Sequence, residues 1–222
     1  MSDSGRAPRP RTNNPERTRR DILEVALREF ATNGLSGARI DELAAQTRTS
    51  KRMIYYYFGS KEGLYLAVLE EAYRRIRADE GTLDLQHLPP LDALAALVRF
   101  TFDYENANAD FIRVVMVENI HHGRHIKQSE TIRQLNSTAI NVLRDICERG
   151  VRSGVVRTEV DPVDLHMSIS ALCFFNVSNR HTFGTIFGRD MAAPDELARR
   201  REVVVETILR WAAPEGALRD RR

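Results

Sequence analysis

Two short amphipathic segments joined by a tight turn constrain this chain more than any other feature. The first segment carries apolar residues at helical spacing, namely Ile40, Leu43 and Ala44. After a turn of three residues, Thr47-Arg48-Thr49, a second short helix is predicted over residues 50–58. A longer helix that begins near Pro15 and ends at Gly34 precedes both, with an apolar face formed by Ile22, Val25, Ala26 and Phe30. This order predicts a helix-turn-helix supported by the first helix.

The second short helix carries side chains suited to contacts with DNA. In a helix-turn-helix, the residues that open this helix meet base edges in the major groove. Lys51 and Arg52 lie there and can donate to guanine, and Met53 can pack on a thymine methyl group. Hydroxyl groups that suit phosphate oxygens follow in Tyr55, Tyr56 and Tyr57. Lys61 opens the next helix, where free amides and a cation can hold a phosphate.

The same stretch resembles the TetR/AcrR family of repressors. The resemblance rests on a nearly continuous set of residues: Ile22, Leu23, Ala26, Phe30, Gly34, Leu43, Ala44, Ser50, Lys51, Tyr55, Tyr56, Tyr57, Phe58, Ser60, Lys61, Glu62 and Leu64. It implies a homodimer with about nine helices in each subunit and an operator of pseudo-palindromic DNA. It also implies that a small-molecule effector bound in the second domain moves the two DNA-reading heads apart, with no enzymatic activity and no cofactor.

Two positions depart from the family pattern. Many members have Thr or Ser where this chain has Ala38, so Arg39 is expected to supply the phosphate contact. Many members have Gly in the turn where this chain has Arg48, which is expected to adopt a positive φ at some cost. The full set of predicted DNA contacts is Arg39, Thr49, Ser50, Lys51, Arg52, Met53, Tyr55, Tyr56, Tyr57 and Lys61.

Charge is distributed in keeping with this prediction. Residues 1–61 hold 12 Lys and Arg against 7 Asp and Glu, while the remainder of the chain is mildly acidic. Residues 1–14 are expected to form a flexible basic arm, either a solvated tail or an arm in the minor groove. Lys51 and Arg52 have the alternative of a solvated face. Tyr55 and Phe58 have the alternative of packing on the first helix as core residues.

The rest of the chain is predicted to be helical throughout, which makes the fold class all-α. We predict a helix-turn-helix domain over residues 15–61 and a helical effector-binding and dimerisation domain over residues 62–222. Asp161-Pro162 is expected to start one helix that ends at Gly184 and Gly188. The helices over residues 162–184 and 195–213 are the predicted dimer interface, since the first is apolar on more than one face.

Polar residues within the apolar helices of this second domain are candidates for an effector site. They are Tyr104, Asn119, His121, His166, Ser170, Cys173, Asn176 and Arg180. A face that mixes donors with apolar surface suits a small polar or anionic aromatic ligand. The alternative is that these side chains line the dimer interface or satisfy backbone groups.

Other functions are less well supported by the sequence. An enzyme that uses His121, His122 and His125 with a metal is one alternative, but Gly123 interrupts their helix, so we predict a structural loop and no metal. A DNA-coating protein without an effector is a further alternative. Cys147 and Cys173 are expected to be buried, and no run of apolar residues is long enough for a membrane span or a signal peptide, so a cytoplasmic location is expected.

Overall fold

A computed structural model describes residues 14–215 of the chain as ten α-helices and one 3₁₀ turn, with no strand in that range. The predicted all-α class is confirmed. The predicted arm, apart from Asn14, lies outside the described residues. The helices are α1 (Pro15–Gly37), α2 (Ile40–Gln46), α3 (Lys51–Phe58), α4 (Lys61–Glu80), α5 (Pro90–Ala107), α6 (Ala109–Ile120), α7 (Glu130–Arg152), α8 (Pro162–Ser178), α9 (Arg180–Phe187) and α10 (Pro194–Ala212), and the 3₁₀ turn is Ile126–Gln128.

Local signals place most helix starts. Asn14 accepts hydrogen bonds from the backbone N–H groups of Glu16 and Arg17, and Pro15 takes the first helical position. The Ser60 side chain accepts from the backbone of Gly63 at 2.9 Å, as its predicted role at the start of α4 requires. Asp161 likewise caps α8, with Pro162 in the first turn.

The helix predicted over residues 162–184 is in fact two helices, which is why the count is ten rather than about nine. The chain leaves helical geometry at Asn179 (φ −104°, ψ 5°), five residues before the predicted end. Gly184 lies inside α9 and does not end a helix. A Cβ at that position would lie 2.6 Å from the carbonyl oxygen of Arg189, so glycine allows the close return of the chain that follows Gly188.

Two main apolar cores form within the described residues, and the long helix α4 belongs to the first of them. The first is built by α1, α2, α3 and the N-terminal half of α4, and it also includes Val114 of α6 and Ile132 of α7. The second is built by α5, α7, α8 and α10. The C-terminal half of α4 packs through Ala72 and Ile76 against α6 and α8. The helix-turn-helix region is therefore joined to the rest by packed side chains of α4 and α6.

No helix within residues 14–215 combines the length and the apolar character that crossing a membrane requires.

Candidate nucleic-acid interface and effector cavity

The short helix α3 is fixed to the first core by one fully buried side chain, Ile54. Its start is capped by Ser50, whose Oγ accepts from the backbone N–H of Met53 at 3.2 Å. Its end meets α4 so closely that a Cβ at Gly63 would lie 2.1 Å from the carbonyl oxygen of Phe58. The orientation of α3 is therefore determined at both ends and along its buried face.

The opposite face of α3 is turned to solvent. It carries two cationic and two phenolic side chains at helical spacing, Lys51, Arg52, Tyr55 and Tyr56. Tyr56 is 78% exposed, and Tyr55 is 44% exposed, so Tyr55 is not a core residue. Phe58 is partly buried against the first core. Lys51 forms an ion pair with Asp41 of α2, which holds its ammonium group at the start of α3.

The turn before α3 has the backbone expected from its sequence. Arg48 adopts φ +51°, so a non-glycine residue occupies the left-handed region. Thr47 stabilises the turn because its hydroxyl donates to the carbonyl oxygen of Leu43 at 2.7 Å. At the start of α2, the Arg39 side chain makes no capping hydrogen bond, in keeping with the absence of Thr or Ser at Ala38. Arg39 is exposed, and its guanidinium lies 3.9 Å from Glu42.

The other predicted DNA contacts border the exposed face of α3. Thr49, Met53 and Tyr57 are half-buried. Lys61 lies at the start of α4, where its Nζ donates to the backbone carbonyl of Ser36 at 3.2 Å. All the predicted residues belong to α3 or to the segments that directly flank it, apart from Arg39 at the start of α2.

A partly open cavity of about 270 Å³ lies between α4, α5, α6, α7 and α8. Its walls are mainly apolar, with Leu97, Phe111, Ile112 and Phe174 among the lining residues. The polar side chains that line it are Tyr73, Arg77, Glu80, Thr101, Glu105, Asn136, His166 and Ser170. A cavity with apolar walls and a few polar groups has the character of a small-molecule site.

Some charged side chains of this cavity have an ion-pair partner, and one has none within the described part of the chain. Arg77 and Glu80 form an ion pair one helical turn apart on α4. Glu105 of α5 is only 6% exposed, and its Oε2 has no hydrogen-bond partner among the described residues. Burial raises the pKa of Glu105 to about 8, although the nearby Arg77 opposes that shift. Burial, with Arg77, lowers the pKa of His166, so its imidazole is neutral at pH 7.

The predicted effector residues occupy different places. His166 and Ser170 line the main cavity, and Tyr104 borders a groove between α1, α4 and α6. Asn176 lines a second cavity of about 320 Å³ beside α9 and α10. Both Asn176 and Arg180 donate to the Oδ1 of Asn106, at 2.7 and 3.0 Å. Four of the predicted residues line none of these cavities: Asn119, which is exposed, His121 and Arg180, which are half-buried, and Cys173, which is fully buried.

The histidine-containing loop after α6 is held by a buried carboxylate that the sequence spacing did not indicate. Glu118 accepts from the backbone N–H groups of His125 and Ile126 at 2.7 and 2.9 Å, and from the His125 Nδ1 at 2.9 Å. The His125 ring packs edge-on against Tyr65 of α4, 5.1 Å between centroids. Within the part of the chain that the structure describes, no three His, Cys, Asp or Glu side chains are placed to hold a metal ion.

Both cysteines are free and buried, as predicted. Burial raises the pKa of Cys147 to about 11 and raises that of Cys173 further. Both thiols are therefore protonated at neutral pH and lack the thiolate that redox chemistry requires.

Sequence reasoning missed the charged residues of the cavity, Arg77, Glu80 and Glu105. An Arg and a Glu three residues apart on a helix usually indicate an exposed ion pair. Glu105 stands among polar neighbours near the end of α5, which also suggests solvent. The one available signal was the apolar stripe of α5, because Glu105 follows Leu94, Leu97 and Thr101 at helical spacing on the buried face.

Comparison with known proteins decides the family. The family model described as "Bacterial regulatory proteins, tetR family" matches residues 22–68. The model described as "Tetracyclin repressor-like, C-terminal domain" matches residues 90–208, more than half of the chain. The chain belongs to the TetR family. It is a DNA-binding transcriptional regulator and not an enzyme. Regulators of this family bind operator DNA and small-molecule effectors and act as dimers.

Relatives and solved structures agree with this assignment. The chain is 37% identical over 182 residues to the HTH-type transcriptional repressor NicS of Pseudomonas putida, covering 82% of this chain and 86% of that protein. It is 34% identical over 140 residues to the repressor SCO4008 of Streptomyces coelicolor, covering 62% and 68%. The crystal structure of the putative regulator SCO4942 of S. coelicolor superposes with a TM-score of 0.68 at 27% identity, covering 89% and 99%.

Proposed function

We propose that this TetR-family regulator is a homodimeric repressor that a small-molecule effector releases from a pseudo-palindromic operator. The observation that carries the proposal is the position of the cavity between α4, α5, α6, α7 and α8. Side chains of α4 and α6 line the cavity, and other side chains of the same two helices pack in the first core, which supports α3. A ligand in the cavity would therefore contact the elements that support α3.

In this proposal α3 enters the major groove. Lys51 and Arg52 are placed to reach base edges, because they open the helix on its exposed face. The hydroxyl groups of Tyr55 and Tyr56 extend from the same face toward the phosphate backbone. Arg39, Thr49 and Lys61 border it and would hold phosphates on either side. Ser50 caps α3 and so fixes the first turn of this helix, which would face the DNA. Met53 and Tyr57 would lie at the edge of the contact.

The dimer is proposed to form through α8 and α10, as the sequence predicts. Large apolar side chains of α8 remain exposed in the single chain, with Met167 62% exposed and Phe175 41% exposed. Val203 and Trp211 of α10 are exposed in addition. Apolar patches of this kind mark protein interfaces. A second copy of the chain covers them by two-fold symmetry, which also accounts for an operator with two half-sites.

The cavity limits the size of the effector. A volume of about 270 Å³ accommodates a compact molecule with one ring or a short chain, and the walls suit an apolar or aromatic body. His166, Ser170 and the other polar lining residues suit polar substituents. A long acyl chain would not fit within these walls.

Binding to labelled DNA from the region upstream of the chain's own gene tests the proposal. The repressor is expected to bind this duplex at physiological salt about 10³-fold or more tightly than a scrambled duplex of the same length. One compound in a panel of small aromatic acids, amides and amines is expected to release it. Specific binding that none of them releases would favour the alternative of a DNA-binding protein without an effector, and equal binding to both duplexes would contradict the proposal.

A further inference from the structure

Two polar atoms of side chains that line the main cavity have no hydrogen-bond partner within residues 14–215. They are the Nε of Arg77, a hydrogen-bond donor, and the Oε2 of Glu105, an oxygen of a carboxyl group. Both belong to side chains that line the cavity. Buried polar groups are nearly always paired in folded proteins, and an unpaired one costs free energy. The pair of orphaned atoms therefore indicates what a ligand must supply: an acceptor for Arg77 and a donor for Glu105.

The charges of the lining favour a cation over an anion. Arg77 is the one cationic side chain among the lining residues, and Glu80 already neutralises it. Among the described residues no cation pairs directly with Glu105, although Arg77 lies near enough to oppose the rise of its pKa. An anion in the cavity would lie near two carboxyl groups, while a cation would provide the missing partner of Glu105.

We propose that the effector carries a cationic nitrogen that Glu105 binds as an ionised carboxylate, together with an acceptor atom for the Nε of Arg77. This inference rests on the proposed function, because it names the chemical class of the effector for the cavity described there. The sequence suggests a polar or anionic aromatic ligand, and this inference departs from it by favouring a cation over an anion. Before a cation binds, burial keeps Glu105 mostly protonated at neutral pH. Binding of the cation ionises it, and the carboxyl proton leaves to solvent.

Few other groups can take part in this ionisation. From α4, Tyr73, Arg77 and Glu80 face Glu105 across the cavity, and from α8 the facing groups are His166 and Cys173. The described lining residues of α6 and α7 include no titratable side chain. On α5 itself, Asp103 and Arg99 are exposed and pair with Arg201 and Glu202 of α10. Burial also raises the pKa of Glu80, but its ion pair with Arg77 opposes that shift. Glu105, which lacks such an ion pair, is thus the group whose charge is expected to respond most to a bound cation.

Three compounds of nearly identical shape test the inference: benzamidine, a cation; benzamide, neutral; and benzoate, an anion. Isothermal titration of the full-length protein is expected to show benzamidine binding at least about tenfold more tightly than the other two. Titration at pH 7 in buffers of different ionisation enthalpy is expected to show release of nearly one proton per benzamidine bound. The affinity is expected to rise by up to about tenfold per pH unit toward pH 8, where Glu105 ionises without ligand.

The Glu105→Gln variant keeps the shape of the side chain and removes its charge. It is expected to lose at least about tenfold in benzamidine affinity and to abolish the proton release, while Glu148→Gln, an exposed change on α7, alters neither. Thermal unfolding checks that both variants fold. The proton release of the unchanged protein tests the inference without any variant.

Three results would overturn the inference. The first is benzoate binding as tightly as benzamidine, and the second is no benzamidine binding at all. The third is a folded Glu105→Gln variant with unchanged benzamidine affinity. The proposed function is judged separately by operator binding of the same preparation, because specific operator binding without a preference for the cation would refute the effector class and leave the regulator intact.

Discussion

The hydroxyl group of Tyr65 donates a hydrogen bond to the backbone carbonyl of Val114, 3.2 Å away. Tyr65 belongs to α4 and lies in the first core, which supports α3. Val114 belongs to α6, and the next residue of that helix, Val115, lines the cavity. The Tyr65 ring packs edge-on against Phe30 of α1 at 5.2 Å between centroids. Burial, together with Glu118, raises the pKa of Tyr65, so the hydroxyl stays protonated and remains a donor. This bond directly links the two functional regions.

Replacing Tyr65 with Phe should weaken that link and retain the packing. We expect the free energy of unfolding to fall by about 0.5–1.5 kcal/mol, the usual contribution of a single hydrogen bond. We also expect a higher effector concentration to be needed for operator release, measured by fluorescence anisotropy. Tyr104→Phe is the matched control, since Tyr104 is half-exposed and borders the separate groove. Identical release curves for Tyr65→Phe and the unchanged protein would show that the bond carries no coupling.

Replacing Arg52 with Ala should reduce discrimination between operator sequences. A bidentate contact from arginine to guanine contributes about 1–3 kcal/mol of discrimination, so variant operators should become nearly equivalent at one base pair of each half-site. Competition binding with a set of single-base operator variants measures this effect. Arg133→Ala on α7 removes an exposed arginine elsewhere and should leave the preferences unchanged. Retained discrimination at every operator position would mean that Arg52 does not contact bases.

Replacing Lys61 with Ala should weaken binding to all DNA sequences alike. The loss of one phosphate contact should make the slope of log affinity against log salt concentration less steep by about 0.9. Binding measured across a series of salt concentrations gives this slope. Because Lys61 also donates to the Ser36 carbonyl, thermal unfolding must show that the variant remains folded. An unchanged salt slope in a folded variant would show that Lys61 contacts no phosphate and only donates to the Ser36 carbonyl.

The Glu118 carboxylate that holds the loop around His125 should make the free energy of unfolding depend on pH. Burial alone would raise the pKa of Glu118, but the backbone N–H of Ile126 and the side chain and N–H of His125 together lower it below its usual value. A carboxyl group with a lowered pKa stabilises the fold above its unfolded pKa and loses this contribution as the pH falls through its folded pKa. Urea unfolding between about pH 3 and pH 7 should therefore show falling stability below about pH 4.5.

The Glu118→Gln variant provides the comparison. It should be less stable than the unchanged protein at pH 7, and the difference should shrink as the pH falls below about 4.5. Glu130→Gln, at an exposed position of α7, should follow the unchanged protein. A stability difference that stays constant with pH would show that the Glu118 charge does not stabilise the loop.

Local sequence signals predicted most of the fold. Caps such as Ser60 and Asp161 act within one helical turn, and the three-residue turn around Arg48 is defined by its own length, so these features are visible without long-range contacts. The end of α8 was not predicted, because Gly184 suggests a helix end by residue type alone. Its actual role depends on the carbonyl of Arg189, which only the folded chain brings close.

The candidate sites were predictable to different degrees. The exposed face of α3 follows from helical spacing around the buried Ile54, so sequence analysis could identify it. The cavity was not predictable in detail, because it is formed by five helices that are distant in sequence. A charged residue such as Glu105 on an amphipathic helix suggests a solvated position, and only tertiary packing shows that its carboxyl group is enclosed without a partner.

Selection of duplexes from a random DNA library by the full-length protein tests the central claim most directly. If α3 reads bases from each half of a dimer, repeated selection will enrich one consensus with two inverted half-sites, about one helical turn apart or a multiple of that distance. The Arg52→Ala variant will relax that consensus. A library that shows no enriched sequence after selection at physiological salt would contradict the claim that this chain is a sequence-specific regulator.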